Sequence, residues 1–160
     1  MVDPIYEAIF AHANHNKRLP AGVIGQIKKR IGSPQYPLYV APQGKVYRGD
    51  HTTQERFQKD INVGKLEPKG IIKVTLNLEP GSSWSYDLEQ ATYHATSGTL
   101  NPMVEVLYSM NPISGSWLDL REFYKLSQFR GLRFEREVIC LEKRVFCKAE
   151  YKLPYSYDRA

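Results

Sequence analysis

Cysteine is scarce in this chain of 160 residues: two in all, Cys140 and Cys147, both late. They flank Leu141-Glu142-Lys143-Arg144, which reads as the turn of a β-hairpin. A four-residue loop there pairs Cys140 with Val145 and Cys147 with Val138, so the thiols fall in different cross-strand pairs and a disulfide between them is not expected. Free, buried thiols of a reducing compartment are the simpler expectation. Long apolar runs are missing, so no segment approaches a membrane span, and the first residues lack the cationic-then-apolar order of a secretory signal. The chain reads as cytoplasmic, with no membrane partner. Metal-ligand clusters are also lacking. His12 and His15 lie three apart with neither Cys nor carboxylate company, a poor donor set, so no metal is expected. There is no internal repeat, low-complexity segment or linker, and residues 1–160 read as one domain.

Positive charge is not scarce. Lys and Arg number 22 against 17 Asp and Glu, giving +5 and a sequence pI near 9.1. That balance favours an acidic partner, a phosphate-bearing ligand or proximity to nucleic acid, and is silent on fold. Hydrophobic content of 42% is enough to bury a core at this length. The 11 tyrosines suit an aromatic-lined cleft or ordinary sheet surfaces equally well.

Residues 1–32 read as two helices. Asp3 before Pro4 is a helix start, because proline at the first helical position forfeits no needed N–H. Pro20 opens a second helix, with Ile24, Ile27 and Ile31 at helical spacing and Gly32 and Pro34 to stop it. A core follows over residues 38–152. After Leu38-Tyr39-Val40 and a Pro-Gln-Gly turn, Lys45 to Gly49 reads as a short strand ending in an arginine and a glycine, and Thr52 with Glu55 as a capping box before a helix through Phe57 and Ile61. Ile72, Val74, Leu76 and Leu78 alternate with polar residues, the pattern of a half-buried strand. Asp87 with Gln90 caps a helix carrying Leu88, Ala91 and Ala95, with Tyr93 expected in the core. Met103 to Tyr108 reads as a strand and Asp119 with Glu122 as another capping box. Arg133 to Cys140 is read as a strand that projects Glu135 and Glu137 from one face, and Arg144 to Lys152 closes the sheet. The fold class expected is α+β, and the tail after Pro154 is expected to be poorly ordered.

Three features therefore stand in order: Arg48 at a strand end, Ser83-Trp84-Ser85 before a capped helix, and Glu135-Arg136-Glu137 on a late strand. This order resembles the mono-ADP-ribosyltransferases of the Arg–Ser–Glu class over roughly residues 38 to 152. Val46-Tyr47-Arg48-Gly49 is similar to that family's Tyr-Arg-Gly strand end. Ser83-Trp84-Ser85 with Ala91 and Tyr93-His94-Ala95 is similar to its Ser-Thr-Ser segment and following helix. Glu135 to Ile139 is similar to its Glu-x-Glu run. Ser85-Tyr86-Asp87 and the short length look most like the bacteriophage Mod and Alt enzymes, which modify host proteins in the host cytoplasm. Trp84 departs from the small middle residue of the pattern, which leaves open which serine has the principal role. Pro80-Gly81 stands where the family often has an apolar approach.

The resemblance implies two packed, mostly antiparallel sheets around an NAD cleft, with flanking helices. It implies transfer of ADP-ribose from NAD, the co-substrate, to a macromolecular acceptor: an arginine of a host protein, one associated with nucleic acid, or RNA itself. Glu137 would face the charge that develops on the ribose as nicotinamide leaves. Glu135 would orient or deprotonate the acceptor, and glutamate there goes with arginine acceptors in the family. Arg48 would hold the pyrophosphate or adjoining ribose, and Ser83 would keep Glu137 in position. Tyr47, Gly49, Ser85 and Tyr86 would be NAD neighbours, and Phe129, Arg130 and Phe134 would form the acceptor-recognition turn. Each motif also has a plain reading: Arg48 as a surface strand end, Ser83 and Ser85 as helix caps, the glutamates as a solvated face. The competing functions are a catalytically silent domain of this fold that binds protein or nucleic acid, and a NAD glycohydrolase with water as acceptor.

Overall fold

Asp3 and Pro4 start α1 (Pro4–His15) as their chemistry dictates: the Asp3 carboxylate accepts from the Ile5 amide at 3.0 Å, and proline takes the first turn. Asn16, in the left-handed region at φ 54°, ends it. Pro20 precedes α2 (Ala21–Arg30), which stops just before Gly32 at φ 78°. The computed structural model describes residues 3–96, 103–126, 128–129 and 137–154. After the two helices come β1 (Val46–Thr52), α3 (Gln54–Ile61), β2 (Lys69–Asn77), β3 (Ser82–Trp84), α4 (Leu88–Thr96), β4 (Val104–Met110), β5 (Trp117–Asp119), α5 (Arg121–Tyr124), β6 (Val138–Cys140) and β7 (Arg144–Lys152). The tail after Pro154 lies outside the described residues.

The strands form two sheets, and all their pairings are antiparallel. One is four-stranded, in the order β1-β4-β7-β2; the other is three-stranded, in the order β3-β6-β5. The class is α+β, two antiparallel sheets with flanking helices. A first core unites the sheets: Val46, Val74, Leu76, Val104 and Val106 of the larger one meet Trp84, Trp117 and Val138 of the smaller. The two tryptophans meet edge to face, centroids 5.2 Å apart. A second core covers the other side of the small sheet, where α1 and α2 bring Ile5, Ile9, Ile24 and Ile27 against Leu118 and Ile139. Buried on both faces, β6 is apolar throughout rather than alternating.

That double burial overturns the expected hairpin. β6 is flanked by β3 and β5, and β7 by β4 and β2, so each already has both edges paired. Leu141 to Lys143 therefore carries the chain from one sheet to the other, and Cys140 and Cys147 lie in different sheets. Both thiols are free and buried, and burial raises them to about 11 and about 12 respectively. The β6 strand begins only at Val138; Glu137 sits at a bend before it, and Glu135 lies outside the described residues.

Other local expectations shift by small steps with physical causes. The cap of α3 is Thr53, whose hydroxyl accepts from the Arg56 amide at 3.2 Å, not Thr52, which is buried as the last residue of β1. Asp119 does not cap α5 by a box with Glu122. It belongs to β5, and its buried carboxylate turns to Arg121 and Tyr86. Leu38 to Val40 forms only a single bridge, Val40 to Asp119. Tyr93, expected in the core, is 63% exposed on α4.

Gly49 sets the position of α4. A Cβ at this residue would stand 1.6 Å from the Ala91 carbonyl oxygen and 2.8 Å from the Ala95 amide nitrogen. The helix backbone therefore rests directly on β1, and Ala91 and Ala95, both buried, keep the seam narrow. Gly49→Ala must push helix and strand apart and is expected to cost about 3 kcal/mol, the upper end of ordinary overpacking. Gly22→Ala, in α2 with nothing within 4 Å of its Cβ, should instead stabilise by about 0.8 kcal/mol through helix propensity. Urea unfolding of both variants checks the contrast, and a Gly49→Ala cost below about 1 kcal/mol contradicts the close packing.

Candidate active site

Among the described residues, the two sheets touch along the backbone at one place. Tyr47, one residue into β1, and Ser85, just past β3, exchange both amide hydrogen bonds, N to O 2.7 and 2.8 Å. Alternation along the two strands then distributes the side chains. On β1, Tyr47 and Gly49 face α4, while Arg48, directly opposite buried Tyr108, faces the space between the sheets. Along the β3 segment Trp84 points into the core, and its neighbours Ser83 and Ser85 project to the other side. This explains why a tryptophan is accommodated between the two serines.

Arg48 reaches across the junction. Its Nη1 donates to the Ser83 carbonyl oxygen at 2.9 Å. Its Nε is buried and has no hydrogen-bond partner among the described residues. A half-buried guanidinium that lines a cleft is suited to an oxyanion, because its charge strengthens any hydrogen bond it donates there. Around it opens a cleft of about 1280 Å³, lined by Tyr47, Arg48, Gly49, Ser83, Ser85 and the α4 residues Gln90 and Ala91, among others. That is ample room for a dinucleotide-sized ligand.

Ser85, rather than Ser83, holds the glutamate. Its hydroxyl donates to Glu137 Oε1 at 2.8 Å and accepts from the Asp87 amide at 2.9 Å. Ser85 is 3% exposed, so this hydroxyl is fully committed. Ser83, half-buried, lines the cleft, and its carbonyl serves Arg48. Glu137 itself is not among the residues lining the cleft; it is tied to it through Ser85. The Glu137 backbone carbonyl accepts from the Leu120 amide at 2.8 Å, fixing the bend from which its side chain departs. Asp87 caps α4 as expected, accepting from the amides of Glu89 and Gln90 at 2.9 and 3.3 Å.

Tyr86 does not line the cleft. Its hydroxyl donates to Asp119 Oδ2 at 2.8 Å and accepts from the Gln43 amide at 3.0 Å, and Arg121 lies 4.3 Å above its ring. Arg121 in turn forks onto Asp119, with Nη2 to Oδ2 at 2.8 Å. That bond raises the Arg121 pKa, and Glu137 adds to the rise from a greater distance. Asp119 and Arg121 thus brace the segment between Ser85 and Glu137. The Asp119 carboxylate also accepts the amide of Arg121, the first residue of α5, at 2.9 Å, so the helix-start reading holds for Asp119 without the reciprocal partner Glu122.

Phe129, expected on an acceptor-recognition turn, is fully buried. Its ring packs edge-on against Tyr6 and Phe10 and beside Phe123, so it belongs to the second core. Arg130, Phe134 and Glu135 lie outside the described residues. Among the described residues no group of three or more His, Cys, Asp or Glu could hold a metal ion, and no helix is long and apolar enough to cross a membrane.

Burial, followed by the hydrogen bond to Asp119, pushes the Tyr86 phenol up to about 12. A phenol raised in the folded state favours folding while it stays protonated. Its contribution is whole below the ordinary value of 10.0 and is lost as pH rises through about 12. Tyr86→Phe should therefore shrink the fall in stability measured by urea unfolding between those two pH values; an unchanged fall contradicts the assignment.

No family model, no curated protein and no solved structure matches this chain.

Proposed function

We propose that the chain is an NAD-dependent mono-ADP-ribosyltransferase that passes ADP-ribose to a macromolecular acceptor, an arginine side chain of a protein. The observation that carries this reading is the Ser85 hydroxyl bonded to Glu137 at 2.8 Å, on the same short segment whose Ser83 carbonyl receives Arg48. Arg48 and the Ser83–Ser85 segment, 35 residues on from it, line one cleft, and Glu137, 52 residues beyond Ser85, is joined to them through the Ser85 hydroxyl. As plain caps and surface charges they would have no reason to meet.

In this reading the cleft-facing part of the Arg48 guanidinium, held in place by the Ser83 carbonyl, meets the NAD pyrophosphate or the adjoining ribose. Cleavage breaks the glycosidic bond between the ribose C1′ and the nicotinamide nitrogen, and the electron pair leaves with nicotinamide. Positive charge develops on the ribose. Glu137, accepting from a ribose hydroxyl, stabilises that charge more than it stabilises the ground state. Ser85 holds the carboxylate at the right place, so the site need not organise during the reaction. The acceptor nitrogen then bonds to C1′, and its proton passes to Glu135 or to solvent. Tyr86, Asp119 and Arg121 act as positioning residues behind Ser85 and Glu137.

Glu137→Ala is expected to lower both nicotinamide release and transfer to protein by about 10²–10³, the usual effect of removing one transition-state contact. Glu135→Ala should suppress transfer to arginine and retain appreciable hydrolysis, because water requires less orientation than a guanidinium. Both rates are measured with labelled NAD and a cell lysate, after circular dichroism has established folding. Normal transfer by Glu137→Ala defeats the enzyme reading, and equal loss of hydrolysis in both variants defeats the division of labour.

A further inference from the structure

The four-stranded sheet has an uncovered outer surface. α4 lies over β1, whereas the outward residues of β7 and β2 are exposed along the whole length of both strands. Their antiparallel register places these side chains opposite one another: Lys69 faces Lys152, and Lys73 faces Lys148. Between and beyond these pairs lie Ile71 opposite Glu150, Thr75 opposite Phe146, and Asn77 opposite Arg144. Across β2 and β7 the surface thus bears five cations and one carboxylate, and β4 adds Glu105 opposite Lys152. On either side of the central Lys73–Lys148 pair, Phe146 is 67% exposed and Ile71 62% exposed.

Two lysine pairs directly across a sheet are unfavourable, since like charges there sit at Cα separations of about 5 Å and repel. None of the four lysines makes an ion pair among the described residues. Lysine on an edge strand guards against stray pairing between molecules, which accounts for Lys69 and Lys73 on β2. It does not account for Lys148, because β7 is an inner strand and the neighbours of Lys148 across it are Lys73 and Ser109; Lys152 faces Glu105 as well as Lys69. Nor does it account for the exposed Phe146, between Lys148 and Arg144 on the same strand. An anionic occupant explains both.

We propose that this face binds single-stranded nucleic acid, with Phe146 as the stacking platform for a base and Lys69, Lys73, Lys148 and Lys152 as phosphate contacts. The chemistry points to a single strand rather than a duplex. An aromatic ring on a flat sheet needs a base face, which a duplex keeps stacked inside. Successive lysines on each strand are about 13 Å apart, so the charges track an extended backbone rather than one compact anion. The path has a direction as well. The last pair, Asn77 and Arg144, lines the cleft that contains Arg48. A strand laid along the sheet therefore ends at the mouth of that cleft. The inference concerns binding alone and holds whether or not ADP-ribosyl transfer takes place there.

Fluorescence anisotropy with a fluorescein-labelled mixed-sequence RNA of about 12 nucleotides, in the absence of NAD, tests it. The expected affinity falls steeply with salt, by about 0.7 logarithmic units per phosphate contact. Phe146→Ala should weaken binding by about tenfold or more at an unchanged salt slope. Lys73→Ala combined with Lys148→Ala should make the slope shallower by about 1.4. Lys29→Ala, exposed on α2, should change neither. These substitutions alter exposed side chains, and circular dichroism checks that each variant is folded. The proposal is overturned if the RNA does not bind, if both sheet variants bind like the parent, or if a duplex of equal length binds as tightly. It is also overturned if phosphatidylserine vesicles or polyglutamate, and not the RNA, lose binding in those variants.

Discussion

Two backbone hydrogen bonds between Tyr47 and Ser85 join the edge of one sheet to the end of a strand in the other, and the geometry of the site depends on that junction. It brings Ser83 within reach of Arg48 and leaves the Ser85 side chain free to meet Glu137. Side-chain contacts alone would hold these groups less firmly. Each would pay its own rotamer entropy, and a half-buried arginine has several torsions to fix. A paired backbone fixes the origin of every side chain first. The tryptophan pair beneath, Trp84 and Trp117, supplies the apolar area that keeps the two layers in contact.

The tripeptide Tyr47-Arg48-Gly49 serves three requirements through strand alternation. Tyr47 provides the junction, Arg48 projects between the sheets, and Gly49 lets α4 settle on β1. The helix thereby rests close to the cleft, with Gln90, Ala91 and His94 along its wall. Its N-terminus is capped by Asp87, whose own amide bonds to the Ser85 hydroxyl. The serine that holds the glutamate is thus also tied to the start of the helix, and displacement of one would disturb the other.

What the sequence made legible was local or periodic. Asp3 before Pro4, Asp87 before Leu88, and the alternation from Ile72 to Leu76 depend on near neighbours, and each appears in the structure where those patterns put it. What it hid depended on distant partners. Val138 to Cys140 and Arg144 onward look like two arms of a hairpin, yet membership of different sheets is decided by β3, β5, β2 and β4. Phe129 sits near polar and glycine residues and so reads as a loop side chain; only the arrival of Tyr6 and Phe10 from α1 buries it. The roles of Ser83 and Ser85 could not be separated by spacing, because the distinction is which offers a carbonyl and which a hydroxyl.

In the proposed reading Arg48 is the grip for an anionic dinucleotide, since its guanidinium lines the cleft and is anchored by the Ser83 carbonyl. Isothermal calorimetry of NAD binding to the parent and to folded Arg48→Ala measures that directly. The account predicts that the variant binds NAD about 10-fold to 100-fold more weakly, as expected for loss of a charge-assisted hydrogen bond. It also predicts that the parent's affinity declines with salt. Equal affinity in the two proteins, or no binding by the parent, would contradict it.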